Sequence, residues 1–199
     1  MIKNNNPLSQ VRALILKLFQ QYNILGFELT LLEAQKLAYF LQRFGEPLKL
    51  KYSKSHYGPF APDLNHLLIT LENNFLTGFK SGDAKAFDNL FLKEERMEEI
   101  DKHIAENCSI EQKQRLSTVS NFIEGFEYPL GMEILSTVDF ILNEDPETLT
   151  NNDKLVDTVQ NWSKRKKELM KPEYISISHK RLMEYKNLLY SKTDILNEN

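Results

Sequence analysis

Six consecutive residues, Tyr57, Gly58, Pro59, Phe60, Ala61 and Pro62, put two prolines and a glycine where the chain must turn. Both flanks take their reading from that turn. Before it, residues 48–54 alternate apolar and polar with period two, which sets Leu48, Leu50 and Tyr52 on one face of a half-buried strand. After it, Pro62 suits a first helical position, and Leu64, Leu67, Leu68 and Leu71 recur at i, i+3, i+4 and i+7, the stripe of a helix docked on a core. Residues 75–79 make a second strand candidate, 80–83 a turn, and 87–92 a third strand candidate.

The rest of the chain reads as helix. Residues 1–8 are polar and form a flexible lead. Val11, Leu14, Ile15, Leu18 and Tyr22 share a helical face that stops at Gly26. Thr30 with Glu33 is a capping box opening a second helix, whose stripe is Leu37, Phe40, Leu41 and Phe44 and whose end is marked by Gly45 and Pro47. An acidic amphipathic helix covers 94–106 around Met97, Ile100 and Ile104. A second capping box, Ser109 with Gln112, opens a helix carrying Leu116, Val119, Phe122, Ile123 and Phe126. Ile134, Leu135, Val138, Ile141 and Leu142 define the next helix, with 143–152 as a solvated connection. The pattern predicts two last helices, over 153–169 with Trp162 buried and over 176–189 around Leu182 and Tyr185, and a frayed tail at 191–199. The expected fold class is mainly α with a small antiparallel β-sheet (α+β), a two- or three-stranded β element following the second helix. Residues 9–92 and 93–190 form two halves of the same compact domain.

Charge and cysteine usage exclude several function classes. A formal net charge of −3 is mild and argues neither for wholesale nucleic-acid binding nor for a strongly acidic surface. The one cysteine, Cys108, has no internal partner and suits a reducing compartment. No apolar run nears the roughly 18 residues of a membrane span, and no leader pattern precedes the first helix, so the expected location is cytoplasmic with no membrane contact.

No catalytic constellation is legible. His56 and His66 lie near Asp63, but no H-x-x-x-H, H-E-x-x-H or Cys/His pairing fixes a metal shell. No glycine-rich phosphate loop and no G-x-S-x-G elbow occur, so neither a cofactor nor catalysis is expected, and the chain reads as a non-enzyme. The order of elements over 9–92 is compatible with a winged helix in which 62–74 would be the recognition helix. That segment carries Asp63 and Glu72 but no Lys or Arg, which makes direct DNA binding unfavourable. The basic run Lys164, Arg165, Lys166 and Lys167 reads as a solvated helix surface.

Several stretches together carry a resemblance: TLLEAQKLAYFLQ at 30–42, GEPL at 45–48, HYGPFA at 56–61 with Leu64, Asn65 and His66, EGFE at 124–127, GMEILSTV at 131–138 and WSKRK at 162–166. In this order they resemble the C-terminal domain of the DarG antitoxin family, and the first half is more remotely similar to the Panacea antitoxin domain. The resemblance implies a partner, a DarT-like toxin that uses NAD to ADP-ribosylate thymidine in single-stranded DNA. It also implies that this chain neutralises the toxin by occluding its DNA groove, in imitation of DNA's charge. The family's DNA ADP-ribosyl glycohydrolase activity resides in a macrodomain, expected on the same polypeptide or on a separate one. A winged-helix-like regulator of its own operon is the alternative. On the family reading the toxin-contacting candidates are Tyr57, Phe60, Asp63, Asn65, His66, Glu72, Phe79 and Asp83.

Overall fold

A computed structural model describes residues 8–24 and 26–190. Of the expected lead at 1–8, residues 1–7 lie outside the described residues, as does the tail at 191–199, while Leu8 packs on the core. Ten α-helices are present among them: α1 (Gln10–Ile24), α2 (Leu31–Arg43), α3 (Pro62–Leu71), α4 (Met97–Asn107), α5 (Ile110–Ile123), α6 (Pro129–Glu144), α7 (Asn152–Gln160), α8 (Lys164–Leu169), α9 (Pro172–Glu184) and α10 (Lys186–Leu189). Four short strands, β1 (Ser53–Ser55), β2 (Gly58–Phe60), β3 (Leu76–Thr77) and β4 (Phe91–Leu92), form two separate antiparallel pairs. The fold is mainly α with minor β, as the sequence predicts.

Two helices make the centre. Every residue of α2 from Leu31 to Leu41 is buried, as is every residue of α6 from Gly131 to Asp139, because each is enclosed on more than one side. α6 packs on α2, α7, α9 and β2, while α1 packs on α2, α4 and α5. The orphan N–H groups that begin α2 are all satisfied. Leu31 and Leu32 donate to the carbonyls of Asp88 and Ala86, Glu33 donates to the Thr30 hydroxyl, and the Glu33 carboxylate accepts from the Thr30 backbone. Those bonds lay the 86–90 segment along the start of α2. The second capping box, Ser109 with Gln112, is present as predicted.

Three expectations are corrected by the structure. Residues 48–52 are not strand: Lys49 is left-handed at φ 59°, and the Gln42 side-chain amide takes both the N–H and the carbonyl of Leu50. Leu48, Leu50 and Tyr52 nevertheless pack on the core, so their shared face is real while the ladder is not. The helix expected over 153–169 is two, broken where the Ser163 hydroxyl accepts from the Lys166 backbone and caps α8. Trp162, at that break, is half-buried. Its indole N–H donates 2.9 Å to the Ser55 carbonyl, its ring meets Phe140, and Leu169 points to solvent. The third concerns the basic run. Lys166 is fully buried and Arg165 pairs with Glu133, which leaves Lys164 and Lys167 as its solvated members.

Candidate functional site

The β1–β2 hairpin and the start of α3 are held from beneath by α2 and α6. Lys36 on α2 donates 2.7 Å to the Pro59 carbonyl. The neighbouring Gln35 accepts from the Ala61 N–H and donates to the Ala61 carbonyl and to Asn65 Oδ1, fixing the residue that precedes α3. Gly58 stands at φ 91°, where a Cβ would lie 2.7 Å from Thr137 Oγ1 on α6. Ser55, pinned by Trp162, completes the attachment.

Under the hairpin lies a cluster of charges. Glu133 Oε1 accepts from Lys166 Nζ at 2.7 Å and from Arg165, and Lys166 also donates to Thr137. Lys36 faces the same cluster with one hydrogen bond of its own. Burial pushes the Lys36 ammonium down to about 7; Lys166 adds to the effect and Glu133 opposes it. Lys166 is lowered too, by burial first, with Glu133 opposing.

This has a consequence for stability. In the unfolded chain Lys36 keeps its ordinary value of ~10.4, so between about 7 and that value the unfolded state binds more protons than the folded state. Stability therefore rises with pH across that window. Between pH 6 and pH 9 the Lys36 contribution is roughly 3 kcal/mol. Urea unfolding of the natural chain and of Lys36→Met across this range should show the natural chain gaining by that amount relative to the variant. Parallel curves would mean that Lys36 stays charged in the fold.

The sequence-predicted contact residues divide sharply. Tyr57 is half-buried, its ring edge-on to His56 and Phe87 and covered by the Arg165 guanidinium at 4.8 Å. Phe60 and Asn65 are half-buried on the wall of a cavity, while Asp63, His66 and Asp83 are exposed. Phe79 is fully buried and belongs to the core, so it offers no surface. Glu72 is not the free solvated carboxylate that the sequence suggests. Lys80, Ser81 and Gly82 are successively left-handed, at φ 56°, 55° and 102°, and the N–H groups of Lys80 and Ser81 each donate 2.6 Å to the Glu72 carboxylate. Glu72 is spent on ordering its own loop.

Sequence reasoning missed Phe87 and Phe91, which are more than half exposed beside this surface, and Ile69, exposed on α3. It also missed Lys36 and Glu133. The available signal was that α2 and α6 carry apolar residues on nearly every side, which leaves a lysine or a glutamate there no solvated face. No group of three or more His, Cys, Asp or Glu placed to hold a metal ion occurs among the described residues, and no helix there is long and apolar enough to cross a membrane.

No family model matches the chain. Among curated proteins, a DNA ADP-ribosyl glycohydrolase of Thermus aquaticus is 36% identical over 165 residues, covering 83% of this chain and 44% of the relative. Proteins of the same name from Mycobacterium bovis and Mycobacterium tuberculosis are each 28% identical over 159 residues, covering 76% of this chain and 44% of the relative. The expectation of a non-enzyme is thereby corrected, because the relatives that the chain matches bear the name of an enzyme. The chain spans less than half the length of these relatives, and along most of its own length it is related to proteins named DNA ADP-ribosyl glycohydrolase.

Proposed function

We propose that this chain is the toxin-binding part of a cytoplasmic DNA ADP-ribosyl glycohydrolase, and that it neutralises a DarT-like ADP-ribosyltransferase by covering the groove in which that toxin holds single-stranded DNA. The observation that carries the reading is the surface of α3 and the loop after it. α3 has no Lys or Arg, and it exposes Asp63, His66 and Ile69. Over 62–88 four carboxylates, Asp63, Glu72, Asp83 and Asp88, outnumber Lys80 and Lys85, and the exposed ring of Phe87 sits against Tyr57. A groove that binds single-stranded DNA is basic and lined with stacking surfaces, and carboxylates beside exposed rings complement both properties. The reading as a DNA-binding regulator has no comparable support. Its recognition helix would be α3, which offers Asp63 and no cation to phosphate.

The test is toxin activity on a thymidine-containing oligonucleotide with rising amounts of this chain. Because Glu72 orders its loop, the informative variant reverses the two free carboxylates, Asp63→Lys with Asp83→Lys. Association should slow by on the order of tenfold and lose salt dependence, since rim charges act mainly through encounter rates. Helicity should be unchanged. Unaltered inhibition would move the contact to another surface, first the acidic α4 with Glu98 and Glu99.

A further inference from the structure

A cavity of about 310 Å³ lies between the start of α2, the β1–β2 hairpin and the 84–86 segment. This is the lower end of the range for small-molecule sites, room for a ligand on the order of ten non-hydrogen atoms. Leu31, Leu32, Ala84 and Ala86 give it an apolar wall. Its other face is set by Lys36, whose Nζ lies 3.4 Å from the position a Cβ would take on Gly58, itself a wall residue.

Lys36 has no counter-charge to itself. The Glu133 carboxylate acts on it, but Glu133 Oε1 is bonded to Lys166 and Arg165 and its Oε2 is buried without a hydrogen-bond partner, so one anion serves three cations. No Asp or Glu lines the cavity, whose remaining ionisable walls are His56, Tyr57 and Lys85. The Lys36 nitrogen has three donor positions and one acceptor, the Pro59 carbonyl. A buried cation so placed is stabilised by an anion arriving from outside. The apolar wall and the single buried cation select the kind of anion. Among the lining residues there is no guanidinium fork of the sort that grips a phosphate dianion.

We propose that this cavity is a binding site for a small carboxylic acid with an apolar body, such as an aryl or branched alkyl acid, whose carboxylate pairs with Lys36 Nζ while its body lies against Leu31, Leu32 and Ala86. The inference is independent of the toxin-binding reading. A bound carboxylate also offsets the burial that holds the Lys36 ammonium down.

The experiment uses the full chain, with benzoate, its neutral isostere benzamide, and inorganic phosphate as probes, followed by amide and methyl NMR. Benzoate should give saturable shifts centred on Leu31, Leu32, Ala84 and Ala86, at least tenfold tighter than benzamide, and phosphate should give none there. Lys36→Met should weaken benzoate at least tenfold while bringing benzamide level with it. Ala86→Leu, which fills the cavity and leaves Lys36 in place, covers the case in which the lysine variant does not fold; it should abolish the shifts. Equal binding of benzoate and benzamide, saturation by phosphate at these positions, or benzoate binding retained in Ala86→Leu would each overturn the proposal.

Discussion

Glu133→Leu is expected to cost about 3–5 kcal/mol of unfolding free energy, because it removes the carboxylate between two cations and leaves Lys166 fully buried without a counter-charge. Arg165 adds little to this cost, since a quarter of its side chain still reaches solvent. The test of cause is the double variant. Glu133→Leu with Lys166→Met replaces a buried pair by apolar groups of similar size, a change that is often neutral or stabilising. It should recover most of the loss in urea midpoint at an unchanged slope. Glu133 also holds the Lys36 and Lys166 ammonium groups up against the effect of burial. Without it both lysines shed their protons more readily, so the cost of the single variant should shrink as pH rises toward about 7, the value at which Lys36 gives up its proton even with Glu133 in place. A double variant as unstable as the single one would show that Glu133 matters for shape and not for charge.

Local chemistry was legible in the sequence, and long-range capture was not. The capping boxes at Thr30 and Ser109 and the proline start at Pro62 depend on residues at most three apart, which a linear reading can see. The alternation over 48–54 identified the right inward face at Leu48, Leu50 and Tyr52. It could not foresee that Gln42, eight residues upstream, would take the backbone groups of Leu50 that a strand would need. The loss of Glu72 from the free surface has the same origin. Its partners are backbone N–H groups eight and nine residues on, presented only because Lys80 and Ser81 turn left-handed. Lys166 shows the limit of charge patterning. In sequence it is one of four consecutive cations, and only the fold sets it against Glu133, thirty-three residues away.

Gly58→Ala should be the second most damaging single change, at about 2–5 kcal/mol. Two costs combine. A left-handed backbone costs a residue with a Cβ roughly 1–2 kcal/mol, and Gly58 stands at φ 91°. Overpacking costs roughly 1–3 kcal/mol more, because the new Cβ would stand 2.7 Å from Thr137 Oγ1 on fully buried α6 backbone. Thr137→Ala separates them. Alone it should cost about 1 kcal/mol by removing an acceptor from Lys166 Nζ. Combined with Gly58→Ala it removes the overlapping oxygen and leaves the backbone strain, so the pair should cost less than the sum of the singles by roughly the overpacking cost. The displacement also has an optical reporter, because Trp162 is the one tryptophan and its indole N–H is bonded to Ser55 at the foot of the same hairpin. In Gly58→Ala its emission should shift before global unfolding, and, on the proposed function, inhibition of a DarT-like toxin should fall further than the remaining folded fraction predicts, since Tyr57 and Phe60 move with the hairpin. Strict additivity of the two substitutions, with Trp162 emission unchanged, would mean that the hairpin tolerates the methyl group and that Gly58 is needed for its backbone angle alone.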